Sequence, residues 1–359
     1  MVYQASMRNR QGFFMNQKRN FSLDLIRAAA FFLVFFYHYN MTLGLYGISS
    51  PFLTTHAGAN FDFGQWGTIL FVLLSGFTSV GSYRKAENKS FGKRCLLYYG
   101  KRALSIVPVY LICYLCFFIL YRLPSFDFDG SLIYTLFCLD GYLSTFGVHT
   151  CYLTGEWFVG LILILYLLFP FLYEAVRKKP VLSLIAAAVL NIGMIFLAWR
   201  LDMPDSRIIC FAFPFIYGIF LACYVKTLSH AAGIAAIVFS VLLIALPLPL
   251  NYRFLLPLLG LSSFLALRYI GSLLEKPQNK AFSAVRLAIG KISKYSFAMF
   301  LVHHILMDKI LSPRAGADFG RWMYAGYFLL LLAVSAAAGL FLTGAAAYVK
   351  EKMVKSRKT

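Results

Sequence analysis

Long apolar runs separated by short polar clusters organise this chain. Ten runs approach or reach the length of a membrane-crossing helix, which needs about 17–25 residues to traverse the hydrocarbon: 22–42, 64–83, 103–121, 157–175, 181–199, 208–225, 231–249, 254–272, 295–311 and 325–348. The eighth is interrupted by Pro257 and Arg268, and the ninth is short. The pattern predicts an all-α integral membrane protein of about ten transmembrane helices, since a helix satisfies its own backbone where no water is available. It divides the chain into a basic N-terminal segment (1–21), a ten-helix membrane domain (22–349) and a basic tail (350–359). Composition agrees: 60% of residues are hydrophobic and 13% charged, against about 25% charged in soluble domains.

Charge sets the expected orientation. With both termini cytoplasmic, 26 Lys and Arg fall on the inner side and 7 on the outer, Arg27 within the first segment completing the 34. That bias is what the positive-inside rule produces. The net charge of +20 therefore reads as membrane orientation and contact with anionic lipid, and no nucleic-acid partner is expected. The first segment reads as a retained anchor: it is long for a signal-peptide core, contains Asp24 and Arg27, and lacks an Ala-x-Ala exit. The seven cysteines are odd in number and lie mostly in or beside apolar segments, as small packing residues do. No metal site is expected, because Cys113 and Cys116 supply too few ligands.

Arg27 and His38 are the polar residues that stand out on the first segment. Eleven residues apart, they share one helix face, about 16 Å from one another along the axis. Each alone has an ordinary reading, a snorkelling cation or a packed core imidazole; together on one stripe they read as a site reaching through the membrane. The outer segment 122–156 carries Asp127, Asp129, Asp140, His149 and Glu156, and suits either a polar acceptor such as a sugar or a plain connector. Within it, 131–139 is too short to span and fits an interfacial or re-entrant helix. The basic, aromatic segment 84–102 suits a phosphorylated donor or lipid headgroups.

The chain resembles the membrane acyltransferase 3 family. The first helix, with Leu23, Asp24 and Arg27-x10-His38, is similar to that family's Arg-x10-His signature. Phe71-x3-Ser75-Gly76-Phe77 resembles its second-helix block, and Lys101-Arg102 running to Pro108 its basic helix entry. Trp157-Phe-Val-Gly160 followed by Tyr166 and Pro170 resembles the fourth-helix block, and Gly290 to His303 the block near the C-terminus. The blocks fall in the family's order across about residues 19–304. Three positions depart from the family pattern: Gly81 and Ser105 stand where an Arg is common, and Ile162 where many members carry Glu.

The resemblance implies an acyltransferase, transferring groups other than aminoacyl groups, that O-acylates extracytoplasmic carbohydrate from cytosolic acyl-CoA, with acetyl as the default group. It implies a multi-pass protein of a bacterial cytoplasmic membrane, with acyl-CoA as donor substrate and no tightly bound cofactor, acting beside polysaccharide-synthesis partners. By resemblance and placement, His38 is the general base. Arg27 would hold the donor, with Asp24 supporting its guanidinium and Arg102, Lys101 and Arg84 extending the cation cluster. Ser75, Glu156, Trp157 and His303 are candidate substrate contacts, and a pore-like cavity would join donor to acceptor. Two other classes are open: an exporter of polysaccharide or small acids, in which the polar stripe lines a permeation path, and a structural subunit of a polysaccharide synthase, in which it has no chemical role.

Overall fold

The computed structural model describes residues 20–58, 61–121, 130–150, 157–201, 208–275 and 280–356. Ten long helices dominate them: α1 (Phe21–Leu45), α2 (Phe63–Arg84), α3 (Phe91–Tyr121), α6 (Trp157–Lys178), α7 (Pro180–Arg200), α8 (Ile208–Tyr224), α9 (His230–Ala245), α10 (Tyr252–Leu273), α11 (Lys280–Leu311) and α12 (Arg321–Ser356). Two short helices, α4 (Leu132–Leu136) and α5 (Asp140–Ser144), precede α6, and a two-residue antiparallel pair, His56–Ala57 with Phe61–Asp62, leads into α2. The expected short element at 131–139 is thus a helical turn, α4, broken before α5 by Cys138 in the left-handed region (φ 57°).

Seven of the ten long helices are long and apolar enough to cross a membrane. The two shorter apolar ones are α8 and α9. α11 is the remaining one, and the difference from expectation is instructive. It starts fifteen residues before the apolar segment at 295, just as α3 starts at Phe91 and α12 runs on to Ser356. Hydropathy marks where lipid lies, whereas backbone hydrogen bonding continues through the basic ends that leave it. α9 stops short, at Ala245, because Pro247 and Pro249 follow and Leu246 is already extended (ψ 131°).

Burial sorts the bundle. α2 and α10 are central, while α7 and α12 expose most of their apolar surface. Along α7, Val181, Leu182, Ile185, Val189 and Phe196 all face outward, a stripe too large for water and suited to acyl chains. α1 packs on α2, α10 and α11, and α2 packs most extensively on α8. The α2–α8 contact depends on two glycines. A Cβ on Gly76 would sit 2.2 Å from the Phe215 carbonyl oxygen, and one on Gly218 2.2 Å from that of Leu73. Small residues that let backbones approach are a normal device of membrane helix packing. Hydroxyls tie the other central pairs: Trp66 Nε1 donates to Ser263 Oγ at 2.8 Å, and Ser240 Oγ to Ser262 Oγ at 2.8 Å.

Gly76→Val and Gly218→Val should each destabilise the bundle by about 1–3 kcal/mol, the usual cost of overpacking. Gly81→Ala, where a Cβ meets nothing within 4 Å, serves as the neutral control. Thermal unfolding in detergent reads this, and midpoints unchanged in both valine variants would rule out the close α2–α8 approach.

Candidate functional site

Two polar side chains on α1 find their partners on α11, which runs parallel to it. Arg27 Nη1 donates to Ser293 Oγ at 3.0 Å, and Ser293 Oγ donates to Asp24 Oδ1 at 2.6 Å. Eleven residues on along both helices, the His38 ring lies 4.0 Å from that of His304 and 5.0 Å from that of His303. The equal spacing, 27 to 38 and 293 to 304, keeps both pairs on the shared face. Asp24 supports Arg27 chiefly through Ser293, its own carboxylate standing 3.9 Å from the guanidinium.

The two polar clusters open into different cavities. The first, about 510 Å³, lies toward the N-terminal ends of α1 and α11 and contains Asp24, Arg27, Ser75, Thr78, Arg102 and Lys294. Arg102 is fixed there: Nη2 donates to Ser79 Oγ at 2.8 Å, and its guanidinium lies 4.5 Å over the Tyr166 ring. Beside this cavity, and sharing Asp24 and Lys294 with it, a recess of about 460 Å³ adds Arg286 and Lys291. The other predicted cations lie elsewhere. Arg84 points to α6, where its Nε donates to the Tyr173 hydroxyl at 3.1 Å, and Lys101 is exposed; neither lines the cavity. Two of the three departures from the family pattern, Ser105 and Ile162, do line it.

The second cavity, about 340 Å³, lies toward the opposite ends of the helices and contains His38, Tyr37, Asp62, Gln65, Trp157 and Arg253. Asp62 caps α2, accepting from Gln65 N–H at 2.8 Å. Burial pushes its carboxyl above the usual carboxylate range, against the hydrogen bonds from Gln65 and Tyr37 that favour the ionised form. Trp157, the first residue of α6, packs its ring 5.5 Å from Phe211. Glu156 lies outside the described residues. The two cavities have no lining residue in common, so among the described residues the single through-going cavity expected from sequence is a pair.

His303 is fully buried and its Nδ1–H donates to the Phe300 carbonyl at 2.6 Å. That bond makes Nε2 the proton-accepting nitrogen of a neutral ring. One ring nitrogen from each of His38, His303 and His304 lies within 4.8 Å of the others. Bonds of about 2.0–2.1 Å to zinc hold two nitrogens no more than about 4.2 Å apart, so binding an ion would draw the trio inward. As it stands, the cluster can accept a proton at one imidazole and stabilise the resulting charge with its neighbours.

Sequence reasoning missed Asp62, Gln65, Arg253 and Lys294. Nothing local marks them: each reaches its cavity by way of helices distant in sequence. The periodicity of α11 did hold a signal, since Ser293 and His304 repeat the spacing of Arg27 and His38.

The chain was compared with known proteins. No curated protein and no solved structure matches it. The model of the acyltransferase 3 family, described as an acyltransferase domain, matches residues 20–344. That match takes in both cavities and reaches into the last long helix, and its span fits the order of the motifs from Arg27 to His303; the chain belongs to the acyltransferase 3 family of membrane acyltransferases.

Proposed function

We propose that the protein moves a short acyl group, acetyl by default, from cytosolic acyl-CoA to a hydroxyl of an extracytoplasmic carbohydrate. The observation that carries this reading is the pairing of a cation-lined cavity with an imidazole-lined one along the same two helices. The excess of Lys and Arg at the Arg27 end supports a cytosolic mouth there. A CoA thioester brings phosphates, for which Arg27, Arg102, Lys294 and the neighbouring Arg286 and Lys291 are suited. The Ser75 and Thr78 hydroxyls beside them suit the amides of the pantetheine arm. On the His38 side, an aromatic ring (Trp157) with a few polar groups (Asp62, Gln65, Arg253) is the lining a sugar favours.

The chemistry needs one base and one proton donor. Neutral His38 takes the proton of the acceptor hydroxyl as its oxygen attacks the thioester carbonyl carbon. The tetrahedral intermediate collapses with cleavage of the C–S bond, and the departing CoA sulfur takes up the proton held by the imidazolium. His303 and His304, at van der Waals range of His38, stabilise that transient charge and hold the ring in place. Arg27 works on donor binding, about 16 Å away along the helix.

His38→Ala should leave the protein folded and abolish transfer of radiolabel from acetyl-CoA, supplied to inverted vesicles, into surface glycan. Wild-type labelling by that variant would sink the assignment of the base. Glycan flux across the vesicle membrane with no acyl transfer by the wild type would point to an exporter instead.

Arg27→Ala should raise the apparent KM for acetyl-CoA by about tenfold or more, the loss expected for a charged hydrogen bond worth about 1.5–3 kcal/mol. An unchanged KM would remove Arg27 from the donor site.

A further inference from the structure

Three phenylalanines stand where the Arg27 cavity meets the imidazole cluster. Phe71 of α2, Phe158 of α6 and Phe300 of α11 all line the Arg27 cavity. Their rings touch one another: Phe71 to Phe158 at 5.9 Å, Phe158 to Phe300 at 5.7 Å and Phe71 to Phe300 at 6.4 Å between centroids. These are edge and tilted contacts of ordinary packing. Behind the rings stand the imidazoles: the Phe300 ring lies 5.4 Å from that of His303, which lies 5.0 Å from that of His38. On the same side, Phe158 is followed back along α6 by Trp157, which lines the His38 cavity.

This arrangement fixes where an acyl group would have to be. If donor and acceptor meet as proposed above, the thioester carbonyl comes from the Arg27 side and must come within reach of His38. The three rings occupy that route, so the acyl group is the part of the donor they would touch. We propose that Phe71, Phe158 and Phe300 form a collar that selects donors by acyl-chain length, admitting a two-carbon group and excluding longer ones. Closely touching rings leave room for a methyl group when they rotate, and each additional methylene must displace a ring from its neighbours. Discrimination of about 10–200-fold per methylene is what an apolar pocket can achieve. The inference rests on the acyl-CoA reading of the Arg27 cavity, and its test is arranged to separate the two.

The experiment compares acetyl-CoA, butyryl-CoA and hexanoyl-CoA as donors for glycan labelling by wild type, Phe71→Ala and Phe158→Ala. CoA binding to the purified proteins is measured in parallel. Phe71→Leu is included as a milder variant, should either alanine substitution fail to fold. The collar predicts that wild type prefers acetyl over butyryl at least tenfold and barely uses hexanoyl. It predicts that the alanine variants bind CoA as the wild type does, gain turnover with butyryl-CoA, and lose at least tenfold in acetyl preference; the leucine variant should shift in the same direction by less. Equal use of all three donors by wild type would overturn the collar and leave the donor reading intact. So would variants that lose acetyl and butyryl transfer in proportion. Wild type that neither binds CoA nor transfers any acyl group would overturn the donor reading, and the collar with it.

Discussion

A charged or polar side chain inside a bilayer must find partners within the protein, because lipid offers none and the cost of leaving it alone is several kcal/mol. That constraint organises this molecule. α1 carries Asp24, Arg27, His38 and Asn40 along a helix rich in Leu, Phe and Ala. A helix so loaded cannot face lipid, and it sits among α2, α10 and α11. Its partners on α11 repeat its own spacing, so two parallel helices pin one another at two levels, by Ser293 between Asp24 and Arg27 and by the imidazole cluster above. Beyond that level, Asn40 continues the tie to α12, accepting from the Tyr324 hydroxyl at 3.0 Å. On α1, Asp24, Arg27 and His38 are therefore both ties between helices and groups proposed to do chemistry. Removing one carries a structural risk, which is why folding must be checked alongside activity.

The second helix shapes the site indirectly. Gly76 and Gly218 bring α2 and α8 to backbone contact, and Phe71 and Ser75 project from α2 into the Arg27 cavity on the side left free. Gly64 has a similar role at the other end of α2: a Cβ there would lie 2.7 Å from the Tyr37 ring, so its absence lets Tyr37 stay beside Asp62 in the His38 cavity. The glycines have no chemistry of their own. They set distances between helices, and those distances decide which side chains share a cavity.

The helices were largely legible because lipid exposure demands continuous apolar runs; the segment read at 64–83 is the helix Phe63–Arg84. What escaped was helix beyond the lipid, as in the basic starts of α3 and α11, where the hydrophobic signal fades though the backbone pattern continues. The site was legible only along single helices. Arg27 and His38 could be placed on one face from periodicity alone, and the structure sets both against α11. Arg84 and Lys101 were grouped with Arg27 because they are basic and near the same end, but proximity in charge does not fix direction: Arg84 is turned to Tyr173. Asp62 and Arg253, almost two hundred residues apart, meet in one cavity through a tertiary arrangement that no local pattern encodes.

On the acyl-transfer reading proposed above, two cavities rather than one pore also make physical sense. A continuous polar channel from one side to the other would conduct ions and let water reach a reactive thioester. A thin apolar partition would prevent both, since water gains nothing by entering a space lined with rings and losing its hydrogen bonds. The same partition would keep the dielectric low beside the imidazole cluster, so that interactions stabilising a charge developed there would act at greater strength than in water. Ser105 and Ile162, both on the Arg27 cavity wall, run in the same direction: where the family pattern often has an ionisable residue, they add no charge to Asp24, Arg27, Arg102 and Lys294. On that reading the rings would favour a neutral acyl group over a free carboxylate, whose charge would have to leave the Arg cluster to pass them.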